Sequence, residues 1–423
     1  MKKALTLISI LSLVLLVGLL AGCADNQPDA TSGGGAAQGG ATTGGNDTDD
    51  NDDAEEVTFT GEPIYFAMHH PATGDAAEYG LHYLIASQIA MDRVNSRGGV
   101  LGRELRIIPY DTRNMPQDNA DIARLVVANP RYLIALGDYA SSGVLASLPI
   151  YEEAGMVVFT PSASGPIIGQ SSPFAFQMFG LQTDDAPFAA REILQGYLGA
   201  ENVGVIHFNT DWGFMALENF MNEANRIGLN VTNIEPINTG EVDFRAILSN
   251  IRQNDPDAIY IMANYSEVAG IVNQITQMGW DVQVVPSKTA ITGSLIEMLG
   301  EDLAEGLITN LAFVVREGDT YMIEYTAEFE RRAGVPTTYW SYLVYDTIMG
   351  IVDAIERLGE ENLSREAMVD ALMETDTYGL LGQWSFNEHG QVHRRYYIMR
   401  FESGRWVQLS DFDENYNLII LDR

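Results

Sequence analysis

The chain has 423 residues, of which 58 are acidic and 24 are basic, so its formal net charge at pH 7 is -34. A chain this acidic argues against a nucleic-acid partner, because phosphate binding needs clustered cations. Hydrophobic residues make up 46% of the sequence, which is enough for packed cores, and the length favours two lobes over one.

Residues 1–22 have the features of a secretion signal, since Lys2 and Lys3 precede an almost unbroken apolar run. The run ends in small residues before Cys23, which predicts cleavage there and a lipid on the Cys23 sulfur. The alternative is a single transmembrane anchor, because the apolar run is nearly long enough to span a bilayer. Cys23 is the only cysteine, so an internal disulfide is excluded. We therefore expect an extracytoplasmic protein that a lipid anchors to the cell membrane.

Residues 23–57 follow as a stretch rich in Gly, Thr, Asn and Asp. Residues 24–56 contain no aromatic side chain, so this part of the chain cannot bury a core. We predict a flexible, hydrated tether that lets a soluble domain move near a membrane partner.

Strands and helices then alternate, which is the pattern of a parallel sheet covered by helices. The first predicted elements are a strand over 63–68, a loop over 69–74, a helix that follows 79–80 and stops at 98–99, a strand over 105–110 and a helix over 118–128.

The stretch from 132 to 166 gives the strongest indication of a binding site. A short apolar strand over 132–136 leads to Ser141 and Ser142, where a helix should begin, and a second strand over 156–160 leads to the loop 161–166. Ligands of open α/β sheets bind at the carboxyl ends of the strands. Two serine-rich loops there would offer hydroxyls and free N–H groups to a carboxylate-sized group. The alternative is that these serines only cap a helix and a turn.

The second half repeats this alternation without repeating the sequence. Its predicted strands are 203–208, 231–236, 258–263 and 282–285, its helices are 214–227, one opened by 243–244 and one ending at 279, and its strand-end loops are 209–213, 264–266 and 286–289.

From about residue 311 the chain should return to the first lobe, with helices near 320–332 and 340–358 and a β-rich return over 384–407. The predicted fold class is α/β, with two Rossmann-like lobes (doubly wound parallel sheets) joined by a multi-strand hinge. We assign 58–181 plus 311–383 to the first lobe and 182–310 plus 384–423 to the second lobe and hinge return. A hinged pair of lobes implies closure around a ligand.

Several short motifs resemble those of the type I periplasmic binding proteins, and most closely the branched-chain amino acid (Leu/Ile/Val) substrate-binding family. They are NSRGGVLG at 95–102, YASS at 139–142, YEEAG at 151–155, TPSAS at 160–164, Asp243-Phe244 after a Gly-containing turn and GQWSFNEHG at 382–390. The likeness extends from about residue 62 to 407. It implies two Rossmann-like lobes with three hinge strands, and a protein that delivers a small solute to an ABC permease.

The resemblance also implies ligand-binding residues. The serine that holds the ligand carboxylate corresponds to Ser141, with Ser142 beside it. The small-residue loop that shares this task corresponds to Ser162, Ala163 and Ser164. The aromatic residue of the first loop corresponds to Tyr79, and the aromatic residues of the second lobe that cover the ligand correspond to Trp212 and Tyr265. The last of these positions is either Asn264 or Tyr265. Packing between the lobes is the alternative role for Trp212.

One position departs from the family pattern. Amino-acid-binding relatives place an acidic residue after the last strand of the second lobe, to hold the ligand ammonium, whereas this chain has Lys288. A lysine would repel an ammonium and attract an anion. With His69 and His70 on the opposite loop, the expected ligand is a mono- or dicarboxylate or an aromatic acid. The alternative is that Lys288 points to solvent and a neighbouring residue takes the acidic role.

Other function classes have little support. The sequence has no G-x-S-x-G elbow, Walker A loop, G-x-G-x-x-G or H-E-x-x-H motif, and we expect neither an enzyme nor a cofactor. A metal site at His69, His70 and Asp75 is disfavoured, because adjacent histidines on a strand point to opposite faces. The predicted function is a monomeric solute-binding lipoprotein of an ABC importer, for an amino-acid-like or an organic or aromatic acid. The alternatives are a ligand sensor that signals to a membrane receptor, and a secreted hydrolase on this fold.

Overall fold

A computed structural model describes residues 57–313 and 318–421. The predicted signal, the lipidation of Cys23 and the tether up to residue 56 lie outside these residues. Within them, no helix combines the length and the apolar character that a membrane crossing requires.

The first lobe is built on a five-stranded, all-parallel sheet. Its strands are β1 (Ile64–His70), β2 (Leu105–Asp111), β3 (Tyr132–Leu136), β4 (Val158–Thr160) and β5 (Ala175–Gln177), in the order β2-β1-β3-β4-β5. The helices between them are α1 (Ala77–Asn95), α2 (Pro116–Val127), α3 (Ser141–Glu153) and α4 (Ile167–Ser171). Apolar side chains cover both faces of the sheet, as expected for parallel strands between helices.

The second lobe repeats this arrangement with four parallel strands. They are β6 (Asn202–Phe208), β7 (Asn230–Ile237), β8 (Ala258–Met262) and β9 (Gln283–Pro286), in the order β7-β6-β8-β9. The helical segments are α5 (Gln182–Phe188), a π-helix (Ala189–Tyr197), α6 (Asp211–Ile227), α7 (Arg245–Arg252), α8 (Tyr265–Gln277), a 3-10 turn (Lys288–Ala290), α9 (Gly293–Leu299) and α10 (Glu301–Ala304).

The remaining elements join the two lobes. They are β10 (Ile308–Leu311), α11 (Thr320–Ala333), α12 (Tyr339–Leu358), a 3-10 turn (Glu360–Asn362), α13 (Ala367–Met373), β11 (Asp376–Gly379), β12 (Gly382–Ser385), β13 (Tyr397–Glu402), β14 (Arg405–Gln408), β15 (Ser410–Phe412) and β16 (Leu418–Ile420). Helices α11 and α12 pack on α1 of the first lobe, whereas β10, β13 and β14 form an antiparallel sheet beside β9. The predicted fold class is confirmed, while the residue boundaries assigned to the lobes stay a prediction.

Two local expectations differ from the structure. Strand β1 continues through His69 and His70, which were expected in a loop, and both rings are buried. Helix α3 begins at Ser141, as predicted, but its N-cap residue is Ala140 and no side chain caps it. The Ser141 hydroxyl instead accepts a hydrogen bond from the backbone N–H of Gly165, at 3.3 Å. It therefore contacts the loop after β4 rather than its own helix.

Candidate functional site

A cleft of about 370 Å³ lies between the two lobes, at the carboxyl ends of β3, β4 and β6. The first lobe contributes Ser141, Ser142 and Ser162 to its wall, and the second lobe contributes Trp212 and others from the loops after β6, β8 and β9. This is the edge at which open α/β sheets bind ligands, because the strands end there and helix N-termini face the opening.

The first turn of α3 supplies hydrogen-bond donors to the cleft. Its leading N–H groups have no partner within the helix, and Ala140, Ser141 and Ser142 all line the cleft. The Ser141 hydroxyl accepts from Gly165 and donates to no other residue in the described part of the chain, so its proton is available to a ligand. A helix N-terminus with a free hydroxyl beside it is suited to bind a carboxylate.

The Ser162 hydroxyl has two hydrogen-bond partners within the protein. It shares a 2.5 Å hydrogen bond with the hydroxyl of Tyr83 and donates to the backbone carbonyl of Tyr139 at 3.3 Å. Since its proton is committed to Tyr139, Ser162 can offer a ligand its oxygen but not a second donor.

Aromatic side chains form the apolar walls of the cleft. Trp340, at the start of α12, lies 5.3 Å from Tyr139 between ring centroids, in an edge-to-face arrangement. Phe208 and Trp212, from the second lobe, form another edge-to-face pair at 6.4 Å. All four line the cleft. The site therefore combines a polar end at α3 with a largely aromatic remainder.

The lobes touch directly across the cleft. The Tyr139 hydroxyl donates to Oδ1 of Asn264 at 2.7 Å, and Nε1 of Trp212 donates to the Ser164 hydroxyl at 3.2 Å. The Tyr79 hydroxyl donates to the backbone carbonyl of Thr289 at 2.9 Å. These contacts hold the lobes together, as in a closed conformation.

A glycine makes the Trp212 loop possible. A Cβ on Gly213 would lie 1.9 Å from the carbonyl oxygen of Phe208, so only glycine fits where α6 begins against the end of β6. The Thr210 hydroxyl caps α6 by accepting from the Gly213 N–H at 3.2 Å. This tight start places Trp212 at the mouth of the cleft.

The structure brings four of the predicted ligand-binding residues into the cleft wall, namely Ser141, Ser142, Ser162 and Trp212. The others lie behind that wall. Ser164 holds Trp212, and the Ala163 N–H donates to Thr160 Oγ1 at 3.0 Å. That any of these residues contacts a ligand stays a prediction.

The two predicted tyrosines are not lining residues of the cleft either. Tyr79 is buried and stacks on Tyr139, with ring centroids 4.0 Å apart. The Tyr265 hydroxyl donates to the carbonyl of Asp75 at 3.4 Å, and Asn264 rather than Tyr265 lines the cleft. Of the two alternatives for this ligand contact, the structure therefore favours Asn264, because Asn264 lines the cleft.

The expectation for Lys288 needs a correction. Its ammonium is fully buried and lies 2.8 Å from Oδ2 of Asp185, 2.7 Å from the Tyr396 hydroxyl and 3.2 Å from the carbonyl of Gly180. Burial lowers the pKa of Lys288, and the Asp185 charge opposes this. Lys288 neither lines the cleft nor points to solvent. Its charge is neutralised within the protein and is not available to an anionic ligand.

His69 and His70 do not face the cleft either. The ring of His69 bonds Asn119 Oδ1 at 2.8 Å and the Tyr151 hydroxyl at 2.5 Å, and burial lowers the pKa of His69 to about 4. The ring of His70 bonds the carbonyl of Gly80 at 3.2 Å. Both imidazoles therefore have structural partners and lie away from the cleft.

Several residues of the cleft wall were not predicted to bind the ligand. They are Asn114, Tyr139, Phe208, Asn209, Thr289 and Trp340. Tyr139 comes shortly before Ser141 and Ser142 in the serine loop, and Phe208 ends a predicted strand, so both positions are ones at which the sequence indicates a binding site. Trp340 opens a helix far along the chain, and only its packing against Tyr79 and Tyr139 brings it to the cleft.

Comparison with known proteins places the chain among solute-binding proteins. Residues 63–405 match the family model of the periplasmic binding proteins. The leucine-, isoleucine-, valine-, threonine- and alanine-binding protein of Pseudomonas aeruginosa is 25% identical over 340 residues, which is 79% of this chain and 88% of that protein.

Solved structures share the fold. A leucine-binding protein from Thermotoga maritima has a TM-score of 0.75 at 25% identity, over 82% of this chain and 97% of that one. A solute-binding protein from R. palustris in complex with benzoate has a TM-score of 0.75 at 15% identity, over 82% and 95% of the two chains. The second likeness concerns the fold alone.

Proposed function

The chain belongs to the type I periplasmic binding proteins of the branched-chain amino acid family, and from this premise we propose that it captures a small carboxylate-bearing solute outside the cell by hinge closure. One observation carries the proposal: the first turn of α3, with the available hydroxyl of Ser141, opens into the cleft between the lobes. In that position the donors of one lobe hold the carboxylate, and the second lobe closes over the rest of the ligand.

The charges around the cleft narrow the ligand class. Asp211 is the only one of the described lining residues of the cleft with an acidic side chain, and it is exposed to solvent. A ligand ammonium in the cleft would therefore find no buried carboxylate among the residues of the wall, and burying an unpaired ammonium is costly. The aromatic walls favour an apolar or aromatic remainder. An organic or aromatic acid fits this site better than an α-amino acid.

A matched set of ligands tests this proposal. Isothermal titration would compare 3-phenylpropionate and benzoate with phenylalanine, which adds an ammonium, and with benzamide, which lacks the carboxylate charge. We expect the two acids to bind, phenylalanine to bind at least tenfold more weakly, and benzamide not to bind. Leucine with 4-methylvalerate, its analogue without the ammonium, forms a second pair. Tight binding of benzamide, or the absence of binding by every acid, would contradict the proposal.

We also propose that a lipid on Cys23 anchors the protein and that it delivers its ligand to an ABC permease. Both proposals rest on the sequence pattern before Cys23 and on the family. Replacing Cys23 by Ser should abolish labelling by an alkyne fatty acid and move the protein from the membrane to the soluble fraction. Deleting the partner permease should stop uptake of the radiolabelled ligand without changing its binding.

A further inference from the structure

A second cavity, the hinge cavity, has a volume of about 840 Å³ and lies along the segments that join the lobes, and none of its described lining residues lines the cleft. Its wall includes the β12 strand with the residues on either side of it, and the segment that leads into β13. Three consecutive basic residues, His393, Arg394 and Arg395, line it. A cluster of this kind is unexpected in a chain with a net charge of -34.

The guanidinium of Arg394 is buried with poor hydrogen bonds. Arg394 is 8% exposed. Its Nη1 and Nη2 donate to the carbonyls of Leu381 and Met178 at 3.5 Å each, the long limit of a hydrogen bond, and Nη2 lies 2.9 Å from the Met178 sulfur. Its Nε has almost no accessible surface and no hydrogen-bond partner among the described residues. Over residues 57–313 and 318–421, no carboxylate forms an ion pair with it.

Elsewhere this fold neutralises the cations that it buries. Lys288 is fully buried and has Asp185 at 2.8 Å. Taking an ion out of water costs several kcal/mol unless an opposite charge compensates for it. Arg394 lacks that compensation from the described residues, and an anion in the cavity that Arg394 lines would supply it.

The other polar groups of the cavity support an anion. The guanidinium of Arg395 has only ring contacts among the described residues, and it lies 4.2 Å from the ring of Tyr416. Two acidic groups lie nearby, but Asp376 accepts from Gln383 at 2.9 Å and Asp184 pairs with His393 at 3.2 Å. Among the described lining residues the wall has the guanidinium groups of Arg394 and Arg395 against the carboxylate of Asp376, so it favours a ligand that accepts hydrogen bonds.

We propose that the hinge cavity is a second binding site, for a small anion held by the guanidinium of Arg394, with Arg395 beside it. The ligand is an inorganic oxyanion or the carboxylate of a small organic acid, since both present only acceptors to these groups. The site lies on the segment that leads into β13 and so on a connection between the lobes.

Thermal unfolding of the full-length protein tests this site. Sodium sulfate, phosphate and acetate would be titrated at constant ionic strength, because an acidic protein also responds to salt in general. The melting temperature of the wild type should rise with the concentration of at least one of these anions. In Arg394→Met the apparent affinity for that anion should fall at least about tenfold, as expected when charged hydrogen bonds are lost.

Matched variants separate this site from the others. Arg405→Met removes the same charge from an exposed position outside the cavity, and it should keep the wild-type response. Ser141→Ala weakens carboxylate binding in the cleft and should leave the anion response of the hinge cavity unchanged. A response to acetate in the Ser141→Ala background would assign the site to organic acids, whereas a response to sulfate or phosphate alone would assign it to inorganic oxyanions.

A second variant and a direct measurement cover the case in which Arg394→Met does not fold. Arg395→Met removes the exposed guanidinium that lines the same cavity, so it should weaken binding of the same anion. A crystal soaked in sodium bromide should show an anomalous peak beside Arg394. The proposal is overturned if no anion changes the melting temperature of the wild type, or if the Arg394 and Arg395 variants respond as the wild type does.

Discussion

The hydroxyl of Tyr139 donates a 2.7 Å hydrogen bond to Oδ1 of Asn264, and this bond joins the end of β3 in one lobe to the start of α8 in the other. The ring of Tyr139 stacks on that of Tyr79, whose own hydroxyl reaches the carbonyl of Thr289 in the second lobe. Tyr139 therefore lines the cleft and holds the closed conformation at the same time.

Removing this hydroxyl should destabilise the closed conformation, while the aromatic ring stays in the cleft wall. Tyr139→Phe keeps the stacked ring and loses the bond to Asn264, which is worth about 0.5–1.5 kcal/mol. We expect ligand affinity to fall about two- to tenfold, and the radius of gyration of the unliganded protein in X-ray scattering to increase. Tyr110→Phe, which removes a hydroxyl bonded to Tyr132 away from the cleft, is the control. Equal affinity of Tyr139→Phe and the wild type would show that the bond does not stabilise the closed state.

Ser141 should be the main side-chain donor to the ligand carboxylate. Hydrogen bonds to charged groups contribute about 1.5–3 kcal/mol, so Ser141→Ala should reduce affinity for the acids above by roughly ten- to a hundredfold. Ser147 lies on the same helix, and its hydroxyl donates to the carbonyl of Val144, so Ser147→Ala is the matched control. Titration calorimetry measures both. A loss of affinity as large in Ser147→Ala would point to the stability of α3 instead of a ligand contact.

The buried pair of Lys288 and Asp185 should matter for folding and not for ligand charge. Lys288→Met leaves Asp185 buried without its partner, and breaking such a pair typically costs about 3–5 kcal/mol. Replacing both residues by apolar ones should recover most of this loss. Urea unfolding measures the free energies.

The exposed pair of Arg245 and Asp243 provides the comparison for that experiment, and Arg245→Met should change stability little. If Lys288→Met were as stable as the wild type but no longer bound acids, Lys288 would have the ligand role that its position in the structure argues against.

Stability should fall in acid because of His69. Its pKa is lowered by burial to about 4, whereas an exposed histidine titrates near 6.5. In the unfolded chain, His69 therefore becomes protonated below pH 6.5, whereas in the folded protein it becomes protonated only below about pH 4. This contribution is fully present above pH 6.5 and is lost as the pH falls to about 4. Each pKa unit corresponds to about 1.4 kcal/mol, so the shift from 6.5 to about 4 corresponds to a loss of about 3 kcal/mol in the free energy of unfolding.

Asp138 acts in the opposite direction and must be separated from His69. Burial raises the pKa of Asp138 to about 6, so its contribution to stability falls as the pH rises from about 4 to 6. Both groups bond the amide of Asn119, through Oδ1 for His69 and Nδ2 for Asp138. Stability should be compared between the wild type, His69→Gln and the exposed control His389→Gln at each pH. An unchanged pH slope in His69→Gln would contradict the assignment.

Local patterns were sufficient for most of the secondary structure. Strand β3 has the bounds predicted from its apolar run, and α3 begins at Ser141 and ends two residues before Gly155, as its sequence indicates. These features depend on neighbours along the chain: a buried strand needs consecutive apolar side chains, and a helix ends where glycine adopts a positive φ, as Gly155 does at 61°.

The roles of the charged residues could not be predicted in this way. Lys288 was assigned to the ligand because of its position after a strand, but Asp185 and Tyr396 meet it only when the lobes are assembled. The same holds for Trp340, which reaches the cleft through ring contacts with residues far away in the sequence. A motif places a backbone segment at a sheet edge, and it does not state which way a side chain turns.

By itself, the sequence determined the α/β alternation, the family and the serine loops at the strand ends, because each of these follows from short-range periodicity or from motifs. The tertiary structure alone decided which charges are neutralised inside the protein, which aromatic rings close the cleft, and that Arg394 is buried without a counter-ion among the described residues. Electrostatic energy depends on distance in space and on burial, and neither can be read from separation along the chain.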